Sequence, residues 1–383
     1  MTRPIAELDS DRQLSLKRKI LLCGDVMTGR GIDQVLPFPC DPRIHEPVVR
    51  SATEYVQLAE QVSGPIATPV SPEYVWGAAL EELKAARADA YIVNLEVSIT
   101  RSDTYVPKGI NYRMSPENAA CLSAGHVDCC VLANNHILDW GVAGLLETLK
   151  ALECLGIKSC GAGRNLAQAR SPAVLEVAGD RRVLVFAFAS VTSGTPQDGA
   201  ATESAAGVCL LEPMSEDRLA QFTHQLGQIK RPNDIVIVSL HWGSNWGYHI
   251  PEEQKRLARR LIDQADVSVV FGHSSHHAKA IEVYRNRLIL YGCGDFLNDY
   301  EGITGKAEYR DDLALLYALD FEAFTTELAD LEIVPFQIRG LQLVRASSED
   351  IAWLQQKLDR QSQQFGVRIR LKPGGKLTIS WAK

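Results

Sequence analysis

An α/β fold with helices outside its sheets is predicted by three features of this 383-residue chain. Apolar runs of strand length alternate with amphipathic helical stretches and turn residues. Hydrophobic residues make up 46% of the chain, enough for one large core or two modest ones. Strand after strand also ends in a polar residue of the metal-binding kind, and ligands of α/β proteins gather at the carboxyl edge of the sheet.

The elements follow in order. Residues 20–23 form a short apolar strand running into Gly24-Asp25. A helix over 75–87 leads to a strand at 90–93, and Ser115-Pro116-Glu117 marks a helix start, with Ser as N-cap and Pro first. A buried strand at 129–133 precedes a helix at 141–155 closed by Gly156. Strands follow at 157–160, 173–177 and 182–189, the last two joined by an Ala-Gly-Asp turn. A helix at 214–229 precedes the strand 235–240, and an amphipathic helix at 252–265 has Pro251 beside its first turn. Apolar strands at 267–271 and 288–291 complete the alternation. Beyond about residue 311 the pattern turns β-rich (313–320, 331–338, 341–345), then gives a helix at 348–363 and a hairpin through Pro373-Gly374-Gly375. The main domain is read as 18–345, with 346–383 completing it. Residues 33–74 hold seven of the 17 prolines and one short helical stretch near 51–60. Structureless stretches of that length are rare unless functional, so this one reads as an ordered excursion or lid over the metal edge, selecting substrate.

Composition excludes several classes. A net charge of -7 without a basic stripe argues against nucleic-acid binding, since Lys17-Arg18-Lys19 leads straight into a strand. The N-terminal segment is polar, and no run approaches the ~18 apolar residues of a membrane helix. No membrane span and a cytoplasmic location are therefore expected. The nine cysteines are odd in number, include the adjacent pair Cys129-Cys130 and form no CxxC motif. Free thiols of a reducing compartment are expected, with Cys23, Cys121, Cys129, Cys130 and Cys154 as small core residues. A reactive thiol is sought only at Cys40 or Cys293, both in loops.

Five strand ends carry the chemistry. They deliver Asp25, Asn94-Leu95-Glu96, Asn134-Asn135-His136, His241-Trp242-Gly243 and Gly272-His273-Ser274-Ser275-His276-His277. Each alone has an ordinary explanation as a cap, a turn or a structural histidine. Their coincidence at one sheet edge does not. Mixed nitrogen and oxygen ligands suit Mn, Fe or Zn, whereas an alkaline-earth site is normally all oxygen. His249 and His277 lie beside these loops; His45, His126 and His224 have no such context and are read as structural. Arg30 offers a planar fork for a substrate anion, against a surface position at a helix start. Trp242, Trp246 and Tyr248 are either a pocket wall or loop anchors. Gly161-Ala162-Gly163-Arg164-Asn165 lacks the third glycine of a dinucleotide loop and reads as a tight turn.

The ordered set GDVMTGR, NLE, NNH, HWG and GHSSHH, followed by LILYGCGDFLND, resembles the CapA family of poly-γ-glutamate capsule-synthesis proteins, within the calcineurin-like metallophosphoesterase superfamily. The resemblance covers roughly residues 18–300. It implies a four-layer α/β/β/α sandwich of two mixed sheets, with one or two divalent ions at the sheet edge. By position, Asp25 and His276 would hold the first ion, Glu96 would bridge, and Asn135, His241 and His273 would hold the second. His136 would contact the scissile group, in protonated form stabilising the leaving oxygen. Where the superfamily has Asp-x-His, this chain has Met27 in third place, which implies a weaker first site. Either Asn94 or Glu96 reaches the ions. Ser275 stands where the family has proline, and Asp295 where it often has asparagine.

The function expected is a metal-dependent hydrolase that directs an activated water at a phosphoester or a γ-glutamyl-type amide in a small or oligomeric anionic substrate. The alternative is a non-hydrolytic, metal-binding accessory protein of polyanion synthesis or export. A metal-independent binding module leaves the histidines unexplained.

Overall fold

The computed structural model describes residues 18–177, 181–211, 216–303, 308–322 and 325–382. The polar N-terminal segment with Lys17, the Ala-Gly-Asp turn at 178–180 and the start of the expected 214–229 helix lie outside them.

Two large sheets dominate. In the first, β1 (Arg18–Val26), β2 (Ala90–Leu95), β3 (Cys129–Val131) and β4 (Lys158–Cys160) run parallel. The second comprises β5 (Ala173–Val177), β6 (Arg181–Ala189), β7 (Ile235–His241), β8 (Val269–His273), β9 (Ile281–Tyr284) and β10 (Arg287–Leu290). Its order is β9-β10-β8-β7-β6-β5, with the four inner strands parallel. The chain then returns to the first sheet, where β11 (Asp295–Leu297) pairs in parallel with β1. The long antiparallel strands β12 (Leu313–Phe321) and β13 (Leu328–Arg339) widen its other side, with β14 (Gln342–Arg345) on β13. The terminal hairpin of β15 (Arg368–Leu371) and β16 (Leu377–Ser380) closes that edge against β13. The strands β9 and β11 carry no strong apolar signature and were not expected.

Burial explains why these segments are strands. Strands β2, β7 and β8 are buried at every position, as strands covered on both faces must be. Alternate side chains then serve two cores. Ile20 and Leu22 point into a core shared by both sheets, with Ile235, Ile237, Val269 and Phe271, while Leu21 and Cys23 point to the opposite face. There they meet helices α1 (Thr53–Ser63), α2 (Ala79–Ala86) and α3 (Gly141–Cys154) through Ala59, Leu83 and Leu145. Val236, Val238 and Leu240 face the helices α4 (Glu216–Ile229) and α5 (Glu252–Ala265). On α5 the buried positions Gln254, Ala258, Leu261, Ile262 and Ala265 form one helical stripe. Helix α6 (Ser348–Ser362) opens with a capping box of Ser347 and Asp350 and sends Leu354 and Leu358 into the inter-sheet core.

Residues 33–74 are ordered, but they are no detachable lid. Val35, Leu36, Tyr55, Ala59 and Val70 are buried. Asp33 accepts from the Cys40 and Ser115 backbone amides and from Asn118. A segment that supplies core side chains cannot swing free, so its removal is expected to unfold the protein. The cysteines are all free, and eight of the nine are buried; Cys154 is the exposed one, at the end of α3, not the core residue expected. Burial pushes the Cys40 thiol up to about 12 and the Cys293 thiol well above its usual range, so neither is a nucleophile. No helix among the described residues is long and apolar enough to cross a membrane.

One buried charge has a measurable consequence. Lys279 is 5% exposed, and burial pulls its ammonium down to about 8 from an ordinary value of 10.5. Below pH 8 the folded chain carries the cost of this charge in full. Between pH 8 and 10.5 the unfolded chain holds more proton than the folded one, so stability rises with pH. Lys279→Met is expected to stabilise the protein by about 1–3 kcal/mol at pH 7 in denaturant unfolding. The gain should shrink towards pH 10.5; equal stabilities at pH 7 would show the charge is compensated.

Candidate metal centre

The carboxyl ends of β1, β2, β3, β7 and β8 bring the expected residues to one place. Asp25 ends β1 and is fully buried; its backbone donates to the Gly294 carbonyl at 2.9 Å. That approach requires glycine at 24, where a Cβ would lie 1.9 Å from the Gly294 oxygen. His241 and His273 end adjacent strands in register, with rings nearly parallel and centroids 6.5 Å apart. The turn after His273 holds Ser274 at φ +86°, a conformation side chains seldom adopt, with its hydroxyl donating to the Gly243 carbonyl.

Asp25 Oδ1 lies 2.6 Å from His273 Nδ1 and accepts from Asn94 Nδ2 at 2.8 Å. Asn94 also contacts Glu96, and its own oxygen accepts from Asn134. The amide of Asn94 is therefore committed to holding its neighbours, and Glu96 is the residue that faces the histidines. Its Oε1 stands 3.7 Å from His241 Nε2 and 3.9 Å from His136 Nε2. Asn135 extends towards Gly194, in the loop whose Ser190 and Ser193 donate to the His241 carbonyl.

Burial sets the protonation states. It pulls His241 down to about 3 despite Asp25, leaving a neutral imidazole ready to ligate. It raises Glu96 well above the carboxylate range, with Asp25 adding to the effect. For Asp25 burial acts upward, but His273 and His241 outweigh it and hold the carboxyl below its usual range. His276 is raised, because Asp295 outweighs burial.

Four of the six expected ligands carry a buried polar atom without a hydrogen-bond partner among the described residues: Asp25 Oδ2, Asn135 Oδ1, His241 Nδ1 and His273 Nε2. Unpartnered buried polar atoms each cost about 1–3 kcal/mol, so four on the residues of neighbouring strand ends call for an explanation. A divalent ion fits: the donors are an amide oxygen, carboxylates and imidazoles. Ligand atoms of Asp25, Glu96 and His241 also lie within 4.8 Å of one another, as do those of Asp25, His276 and Asp295.

Two readings from the sequence need correction. Arg30 is 4% exposed and spends its fork internally, on Asp299, Glu46 and the Tyr55 hydroxyl, with Tyr55 and Tyr112 stacked against it. It braces the loop after β1 and does not face a substrate. His136 is not protonated at rest: burial pulls it down to about 4, against Asp139. Its Nδ1 is 2.7 Å from Asp139 Oδ2, which leaves Nε2 towards the cluster. Asp139, itself bonded by Lys108 and the Tyr112 amide, was missed, although the His-x-x-Asp spacing was visible. Asn245, on His276 Nε2 at 3.1 Å, was missed as well, and nothing in the sequence marked it.

The remaining aromatic and glycine-rich candidates also find places. Trp242 is a buried anchor whose indole donates to the Tyr291 carbonyl. Trp246 lies 5.4 Å from His276, and Tyr248 stacks edge-on to His277. Residues 161–165 are not a simple turn: Ala162 and Gly163 pair antiparallel with Val208 and Gly207, and Asn165 caps the helix Leu166–Arg170.

Comparison with known proteins agrees with the motif order. Residues 19–300 match the model of the bacterial capsule synthesis protein PGA_cap family. The chain belongs to this family. It is 44% identical over 362 residues to a "probable polyglutamine synthesis accessory protein" of Mycobacterium tuberculosis, covering 94% of this chain and 95% of the relative. It is 28% identical over 236 residues to the PGA biosynthesis protein CapA of Bacillus subtilis, covering 61% and 58%. With the capsule biosynthesis protein CapA of Bacillus anthracis it shares 24% identity over 324 residues, covering 84% and 68%. The CapA family is thus named for capsule and poly-γ-glutamate synthesis, and its matched region contains every strand end of the centre.

Proposed function

We propose that this chain is a metal-dependent hydrolase of carboxylate-rich polymers, cleaving a γ-glutamyl-type amide or a phosphoester within a four-layer, metallophosphoesterase-like fold. The observation that carries the reading is the set of four unpartnered donor atoms on Asp25, Asn135, His241 and His273. Asp25, His276 and Glu96 would hold one divalent ion, and Glu96, Asn135, His241 and His273 another. Such ions supply positive charge that polarises the bond attacked and acidifies water. Asn94 and Asn134 keep the carboxylates and the His136 loop in place. His136, its Nδ1 directed by Asp139, presents Nε2 to a proton that moves during cleavage. Nine unpaired thiols suit a reducing, cytoplasmic setting.

The substrate class has its own support. A cavity of about 870 Å³ lies beside the His241 loop, against Ser190, Thr192 and Gly243. Its lining includes the guanidinium groups of Arg170 and Arg256, a local source of positive charge on a chain of net charge -7. That field favours a polyanion. Arg256→Glu is expected to raise KM for a γ-glutamyl oligomer about fivefold, roughly 1 kcal/mol, and to leave kcat unchanged. The effect should fade in high salt; an unchanged KM at low salt would remove the cavity from substrate binding.

The experiment for the function combines metal analysis with a substrate screen. Protein stripped by chelator is reloaded with Mn²⁺, Fe²⁺ or Zn²⁺ and offered γ-glutamyl oligomers and generic phosphoesters. Metal-restored cleavage is expected. Tight metal binding without turnover would instead favour the accessory reading, which the printed name of the M. tuberculosis relative supports.

A further inference from the structure

We infer that Asp295 is itself a metal ligand and that, with Asp25 and His276, it forms a hard, oxygen-rich seat for one ion, distinct in metal preference from the nitrogen-rich seat of His241 and His273. The inference rests on the metal-dependent reading above and assigns a residue and an ion type to it.

The backbone puts Asp295 in position. Strands β1 and β11 run parallel, with Asp25 and Asp295 as register partners. The close approach of Gly24 to Gly294 removes any side chain that would separate them. Ligand atoms of Asp25, His276 and Asp295 lie within 4.8 Å of one another, and all three residues are buried. Asp25 Oδ2 has no partner among the described residues, although Asp25 is 0% exposed.

The neighbours fix the donors, and of the three residues Asp25 alone keeps a buried polar atom without a partner among the described residues. Asn298 donates to Asp295 Oδ2 at 2.8 Å, and Asp295 Oδ1 faces His276 Nδ1 at 2.9 Å. Asn245 occupies the other ring nitrogen of His276, so Nδ1 is the one turned to the two carboxylates. Met27 is buried beside this strand, but its thioether accepts from the Tyr300 hydroxyl and is a soft donor in any case. Asp25, Glu96 and Asp295 form no ion pair with a lysine or arginine among the described residues. Their nearest charge partners are the imidazoles of His273 on Asp25 and His276 on Asp295, and a divalent ion would bring more positive charge to three buried carboxylates than these two rings do.

The two seats differ chemically. Two carboxylates and one imidazole favour a hard ion such as Mn²⁺, whereas two imidazoles with an amide oxygen favour Zn²⁺ or Fe²⁺. The opposing interpretation makes Asp295 only the hydrogen-bond partner that orients His276. Residues in that role cost about 10–100-fold in metal affinity when lost. Asparagine at 295 would still accept from His276, so an orienting role predicts a loss at the low end of that range or less.

The test uses the full chain and its Asp295→Asn variant, both stripped by chelator, with Mn²⁺ and Zn²⁺ titrated by calorimetry and bound metal counted after equilibrium dialysis. Wild type is expected to bind two Mn²⁺ per chain. Asp295→Asn should lose one of them by more than about 100-fold in affinity while keeping the other, and should keep its tight Zn²⁺. Two undiminished Mn²⁺ sites in the variant would overturn the inference and leave the metal-dependent reading standing. No metal bound by the wild type would overturn both. Anomalous scattering from wild-type crystals grown with Mn²⁺ needs no variant: an ion within about 2.3 Å of an Asp295 carboxylate oxygen supports the assignment, and an ion beyond bonding distance from it refutes it.

Discussion

His241→Ala is expected to abolish binding of the ion held between His241, His273 and Asn135, lowering metal content by one ion per chain and kcat/KM by more than about 10³-fold. The imidazole is fully enclosed and held neutral by burial, and its Nδ1 has no partner among the described residues. Alanine removes one of two nitrogen donors from a seat that cannot recruit another, because the neighbouring Asn94 and Asn134 amides are already committed. The metal-free forms should differ far less. In the absence of an ion, relief of an unpartnered buried nitrogen partly offsets the cavity left by the ring. Unfolding midpoints of wild type and variant should therefore diverge on metal addition, and metal content equal to wild type would exclude His241 as a ligand.

How much of this centre the sequence disclosed follows from what sequence patterns encode. Buried parallel strands such as β7 and β8 are continuous apolar runs, and the residue after such a run must leave the sheet at its carboxyl edge. Asp25, Glu96, His136, His241 and His273 were legible for that reason. Contacts between distant segments leave no local trace. The Arg30 fork fits Asp299, 269 residues away, and Asn245 meets His276 across 31 residues. Neither pairing has a period or a spacing. The protonation of His136 was also out of reach, because it depends on enclosure by Tyr112 and on Asp139, not on residue type. The 33–74 segment, read as an ordered excursion or lid, is ordered, but its packing was out of reach: its prolines mark irregular backbone, and irregular backbone can still deliver Leu36 and Val70 to a core.

The test that separates catalysis from binding lies at His136. Its ring follows directly on the proposed ligand Asn135 but points elsewhere: Nδ1 is tied to Asp139 at 2.7 Å, and Nε2 looks across to Glu96 at 3.9 Å. The proposed ligand sets use neither ring nitrogen, so His136→Ala is expected to keep its fold and its metals. Turnover should fall by about 10²–10⁴-fold, the usual worth of a positioned proton-transfer group. An anionic group arriving beside the neutral ring favours its protonated form, which can then donate to a departing atom. The loss should accordingly be largest for an amide or alkyl ester and smallest for an aryl ester, whose leaving group needs no proton. Asp139→Asn should reproduce part of the loss, because asparagine cannot hold the imidazolium that forms. Depleted metal in His136→Ala would make His136 a ligand. Unchanged turnover would take it out of the chemistry and favour a protein that binds polyanions without cleaving them.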